Sequence, residues 1–132
     1  DAGDGRSGAD ALVEMVQAAR RDRSLSPLAR DARLDRLALA HARRMKEERM
    51  VGHDVGDGDP GQRVQAAGLS AKEAGENVAH AESIRLAHRS LWQSPSHRAN
   101  IERPAFTHVG AAVVEDPDGT VWVCEIFASA LR

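Results

Sequence analysis

The segment from Thr120 to Ala128 constrains this chain more than any other, because it is apolar on both sides. Side chains alternate across a strand, so Val121, Val123 and Phe127 point one way and Trp122, Ile126 and Ala128 the other. A sheet with one wet face would alternate apolar with polar residues. Layers must therefore cover both faces. A partner strand is predicted over about Thr107 to Glu115, joined through Asp116-Pro117-Asp118-Gly119, a sequence suited to a hairpin turn.

Helical spacing supplies the covering layers. Leu12, Met15, Val16 and Ala19 recur on one helical face and predict a helix over about Ala9 to Arg21. Ser7, with Asp10 three residues on, has the form of a capping box. Pro27 breaks the pattern between Ser24 and Leu28. A longer helix follows from about Asp31 to Met50, with Leu34, Leu37, Ala38, His41 and Met45 on one stripe and Arg36, Arg43, Arg44, Lys46 and Glu47 opposite. Gly52 is placed to close it as a left-handed cap.

His53 to Gly61 reads as loop, and a helical turn from Gln62 to Ala67 stops at Gly68. A short strand is predicted over Glu76 to Ala81, then a helix over Glu82 to Gln93 with Ile84, Ala87 and Leu91 inward. Ser94-Pro95-Ser96-His97 starts another helix, with Ser94 as N-cap and Pro95 at the first position. The fold class is α+β: a three-layer α-β-α sandwich around a small, mostly antiparallel central sheet.

At 132 residues the chain has room for one domain, expected over 9–132 behind a flexible, Gly- and Asp-rich leader at 1–8. No stretch approaches the roughly 20 apolar residues of a membrane span, so no transmembrane segment is predicted. A net charge of −2 does not indicate a broad basic surface for nucleic acid. The single cysteine, Cys124, excludes a disulfide within the chain, and no signal peptide is visible. With two Trp, two Phe and no Tyr, the core must be mainly aliphatic, Trp92, Trp122, Phe106 and Phe127 being its large pieces.

The chemistry-bearing clusters are Gly52-His53-Asp54, Gly75-Glu76-Asn77 and Ser94-Pro95-Ser96-His97-Arg98-Ala99-Asn100-Ile101. In this order, with Phe106-Thr107-His108-Val109-Gly110 and the closing strand, they resemble the CAP superfamily. That superfamily groups cysteine-rich secretory proteins, antigen 5 and pathogenesis-related proteins, and the chain is most similar to its compact bacterial, SCP-like branch. The resemblance covers about Leu12 to Ala128. It implies an α-β-α sandwich with a central cleft in a secreted or cell-envelope protein. It further implies a cleft of two His and two acidic residues able to bind zinc or another divalent cation. His53, Glu76 and His97 fall on three of those positions; Trp92 is followed by Gln93, Ser94 and Pro95, so the second acid is not matched.

The residue types agree with a site. His97 near a helix N-terminus is disfavoured as imidazolium, which leaves a ring nitrogen available. Two imidazoles and a carboxylate form a known zinc set with an open position, able to lower the pKa of a bound water towards about 7. Without metal, Glu76 could stabilise a charged His or accept a proton from a substrate. Adjacent strand residues face opposite ways, so Asn77 is expected to be a buried amide tying down a loop.

Glu125, on the face of Val121, Val123 and Phe127, is either the acid that replaces the missing cleft carboxylate or a salt-bridged or edge-exposed residue. His41 is read as a hydrogen-bonded core residue, and His80, His88 and His108 as core or surface. Cys124 is read as a small buried hydrophobe. Counting twelve positions from Asp57 reaches Gly68, not the Glu of a calcium loop, so Asp54, Asp57 and Asp59 are read as solvated.

The leading functional expectation is a binding domain outside the cytoplasm. Its cleft or adjoining grooves would take a small apolar molecule, lipid or peptide, with an envelope polymer or protein as a further class of partner. The alternatives are a metal-dependent hydrolase or protease with Glu76 as base and His53 and His97 as ligands, and a structural envelope module with a vestigial site. The sequence carries no HExxH helix and no Ser or Cys placed as an evident nucleophile.

Overall fold

Strand β4 (Val121–Ser129) is buried along its whole length. The computed structural model describes residues 6–132. Before β4 come α1 (Arg6–Asp22), β1 (Ala29–Arg30), α2 (Ala32–Glu48), α3 (Pro60–Ala66), β2 (Glu73–Ala81), α4 (Ile84–Gln93), α5 (Pro95–Glu102) and β3 (His108–Glu115). The strands form one sheet in the order β1-β3-β4-β2. β4 pairs antiparallel with β3 and β2, while β1 runs parallel to β3. The mostly antiparallel sheet and the α-β-α layering are those expected.

Both faces of β4 are covered, as its composition requires. Val121, Val123 and Phe127 pack with Leu12 and Val16 of α1, Ala87 and Leu91 of α4, and Ile101 of α5. Trp122, Cys124, Ile126 and Ala128 pack with Leu34, Ala38, Ala42 and Met45 of α2 and Val64 of α3. Each fully buried Leu, Ile or Phe contributes about 1.5–3 kcal/mol through area removed from water. Helix α2 lies so close to β3 that a Cβ on Gly110 would stand 2.3 Å from the Leu34 carbonyl carbon. Only glycine fits there.

The structure also corrects several boundaries. Residues 6–8 belong to α1, so Ser7 is not its N-cap, and the remainder of the expected leader, 1–5, lies outside the described residues. Helix α2 is closed by Arg49 at φ 54, whose N–H donates to Lys46 O, and not by Gly52. The adjacent Met50 N–H reaches back to Met45 O, so the carbonyls at the helix end are already met before Gly52. Helix α3 starts at Pro60, where Asp59 and Gln62 form a capping box. Strand β2 begins at Glu73, paired with Ser129, and α4 begins at Ile84 behind the Ser83 cap. The unexpected β1 is only two residues long and exists through its pairing with His108 and Val109.

Candidate functional site

Glu76 and Asn77 leave edge strand β2 in opposite directions. Glu76 points to the α2 and α3 side, where His53 Nδ1–H donates to its Oε1 at 2.9 Å. Its Oε2 accepts from Arg63 Nη2 at 2.8 Å and from the Cys124 thiol at 3.3 Å. Glu76 is fully buried, whereas the His53 side chain is 53% exposed. A buried carboxylate is tolerable only with such partners. Arg63 thus supplies the charge, and Glu76 fixes the His53 ring so that Nε2 faces outward as the acceptor nitrogen.

The loop that presents His53 is held by its carbonyls. The buried His41 bonds Gly52 O through Nε2 at 2.8 Å and Asp57 Oδ2 through Nδ1 at 2.6 Å. Arg63 donates to His53 O and Gly58 O, each at 2.9 Å, and Arg44 to Val55 O at 3.1 Å. Asp54 accepts from the N–H groups of Gly56 and Gly58, which hold φ of 99° and 87°. Those aspartates therefore shape and anchor the loop, a role beyond solvation alone.

His97 stands in the first turn of α5. Its Nδ1 pairs with Ser94 Oγ at 2.8 Å, so the Ser94 hydroxyl orients the ring instead of capping the helix. Burial, and next the charge of His53, hold His97 below the ordinary histidine range. The two rings thus sense one another electrostatically. His97 has no hydrogen bond to Glu76 among the described residues; it reaches β2 through its backbone O, which accepts from Asn77 Nδ2 at 3.1 Å.

Asn77 is fully buried and joins three elements. Its Nδ2 also donates to Glu125 Oε1 at 3.1 Å, and its Oδ1 accepts from Asn100 Nδ2 at 2.9 Å. Glu125 is therefore neither a cleft acid nor an edge residue. It is wholly buried opposite Asn77 in the β2–β4 register, with Oε2 unpartnered. Desolvation pushes its carboxyl up to about 7, against the opposing hydrogen bond from Asn77.

Residues 13–126 match the CAP family, described as the cysteine-rich secretory protein family. The chain belongs to that family. The YkwD protein of Bacillus subtilis (strain 168) is 34% identical over 113 residues, covering 84% of this chain and 43% of YkwD. This CAP domain thus spans less than half the length of that curated relative. An extracellular protein containing an SCP domain from Bacillus anthracis superposes with a TM-score of 0.85 at 24% identity, covering 95% of this chain and 41% of that one. An outer surface protein from Borrelia burgdorferi gives 0.82 at 19% identity, covering 91% of this chain and 90% of that one. At these identities the structural likeness establishes the fold alone.

The expected metal set fits this CAP domain poorly. Among the described residues no three His, Cys, Asp or Glu side chains gather as a group able to hold a metal ion. Both Glu76 oxygens are engaged, one by a buried guanidinium, and the His97 ring bonds Ser94 and neither of them among the described residues. The same engagement leaves Glu76 poorly placed as a base towards a ligand. Cys124 is no nucleophile either, since burial and then the neighbouring Glu76 raise its thiol well above the ordinary range.

None of the three predicted residues lines the groove between α1 and α4. That open groove, of about 610 Å³, is walled by Met15, Ala18, Ala19 and Trp92, with Asp22, Arg23, Arg85 and Arg89 at its margins. Arg23 and Arg98 lie 5.3 and 5.7 Å from the Trp92 ring centroid. His88, read from the sequence as core or surface, also lines it and leaves a buried Nδ1 without a partner. Sequence reasoning missed Arg63 entirely. The available signal was Glu76 itself, since an acid on a covered strand requires a cation nearby.

Proposed function

We propose that this CAP domain is an extracytoplasmic binding module that takes an amphiphile with an acidic head in the groove between α1 and α4. One observation carries the reading: an open groove of about 610 Å³ with apolar walls, whose margins hold three cations, Arg23, Arg85 and Arg89, against one acid, Asp22. Its size falls within the range of small-molecule sites, and arginine suits a carboxylate or phosphate head. The extracytoplasmic placement draws on the relatives described as an outer surface protein and an extracellular protein. It is compatible with the lack, among the described residues, of any helix long and apolar enough to cross a membrane.

Titration with oleate, followed by Trp92 emission in a Trp122→Phe background, tests this reading. Saturable quenching is expected, with weaker binding of oleyl alcohol, which lacks the acid. Ala19→Glu should abolish the response by placing a charge in the channel. No saturable change with oleate overturns the reading.

A second reading, hydrolysis with His53 as base, draws on the Arg63–Glu76–His53 chain at 2.8 and 2.9 Å. It resembles the way a carboxylate orients a catalytic imidazole. Turnover of an ester or peptide that disappears in His53→Ala while oleate binding persists would establish it as a separate activity.

A further inference from the structure

Arg63 is a buried guanidinium with unfinished hydrogen bonding. Its Nε and Nη2 are engaged by Gly58 O, His53 O and Glu76 Oε2 at 2.9, 2.9 and 2.8 Å. Nη1 is buried and has no partner among the described residues, and the side chain as a whole is only 8% exposed. A guanidinium carries only donors, and a charged donor left unmet away from bulk water is costly. An acceptor is therefore missing at this atom.

Arg63 lines an open groove of about 610 Å³ on the α2–α3 side, distinct from the α1–α4 channel. Arg43 and Arg44 stand along the same groove, with Leu37 and Ala40 among its apolar walls. Two carboxylates, Glu47 and Asp57, also belong to the lining. Asp57 is bonded to His41 at 2.6 Å, which turns that acid towards the core of the loop. The lining therefore holds three guanidinium groups and two carboxylates; Asp57 Oδ2 also stands 3.8 Å from Arg63 Nε, and Arg44 Nε stands 3.6 Å from Glu48.

We propose that this groove is an oxyanion site: a carboxylate or phosphate on a small molecule accepts from Arg63 Nη1 and is held at the rim by Arg43 and Arg44. Guanidinium forks match the planar geometry of such groups, and charge-assisted bonds are stronger than neutral ones. The apolar walls would pack the body that carries the anion. Because Arg63 also grips Glu76 and the His53 carbonyl, an occupant of this groove would be felt at His53.

The test is a titration of the folded chain with inorganic phosphate and, separately, with acetate, followed by the arginine side-chain NMR resonances. At least one anion should shift the Arg63 Nη signals saturably, and the stronger response tells phosphate from carboxylate. Arg43 is exposed, so Arg43→Ala keeps the fold and should weaken binding about tenfold, the loss of one charge-assisted contact. Ala40→Glu, a substitution that suits an exposed helix position, should abolish the response by supplying its own carboxylate. Failure of both anions to give saturable shifts overturns the proposal. Equal affinity in Arg43→Ala and the wild type overturns it as well.

Discussion

Arg63 and Glu76 form an ion pair sealed from solvent, with Nη2 2.8 Å from Oε2 and side-chain exposures of 8% and 0%. The pair links a short helix to an edge strand and, through His53 Nδ1, to the loop between α2 and α3. Its energetic value lies in mutual dependence. Each charge is acceptable in that position only because the other is there.

Removing one partner should therefore cost more than removing both. Arg63→Met is expected to destabilise by about 3–5 kcal/mol, because Glu76 remains buried without its cation. The double variant Arg63→Met, Glu76→Gln should recover part of that loss. Denaturant midpoints of the wild type, both single variants and the double variant give the coupling directly. Strict additivity would show that the two groups do not act as a pair.

The rings of His53 and His97 should be coupled in titration. His97 sits below the ordinary histidine range through burial and then through the charge of His53. His53→Ala removes the second cause, so the His97 pKa should rise, as followed by its ring proton shifts. A depressed histidine contributes stability above its unfolded pKa and loses it as pH falls through the folded value. Acid should accordingly destabilise the wild type through His97, and His53→Ala should reduce that contribution. An unchanged His97 titration would show the rings to be independent.

Much of the architecture was legible because long patterns are redundant. The doubly apolar β4 demanded covering layers, and the stripe Leu34, Ala38, His41, Met45 supplied one of them. His41, on that stripe, is the hydrogen-bonded core residue its position implies. Short-range devices were harder to read. Strand β1 has two residues and no periodicity of its own, so only the neighbouring β3 defines it. Arg49 takes a left-handed conformation that sequence alone would assign to the nearby Gly52. At the site, the motif residues could be named, but their partners lie in other elements. Arg63 meets Glu76 across a loop, and Asn77 meets Glu125 across the sheet. Neither spacing nor helical phase encodes such pairings.

Zinc should not bind tightly to this arrangement. A carboxylate ligand from Glu76 would have to abandon Arg63 or His53. Calorimetric titration at neutral pH is expected to show no stoichiometric uptake. Tight one-to-one binding, lost in both His53→Ala and His97→Ala, would require Glu76 to rearrange and would reopen the metal-dependent reading.

Glu125 should make the fold lose stability as pH rises from about 4.5 to about 7. Its carboxyl is buried, accepts one bond from Asn77, and is shifted from 4.5 to about 7 by desolvation. A raised acid pKa means that the folded state binds more protons than the unfolded state between those values. The associated stability is complete below about pH 4.5 and is lost as pH rises through about 7. The charged facing groups are few: Asn77 on β2 is neutral, and the contact with α5 is the His97 carbonyl, itself bonded to Asn77. Glu125→Gln keeps an oxygen to accept from Asn77 and removes the titration. Wild-type stability should therefore fall by about 3 kcal/mol relative to Glu125→Gln between about pH 5 and pH 9. Parallel stability curves for the two proteins would mean that Glu125 binds its proton equally well in the folded and unfolded chain, and that its burial does not raise its pKa.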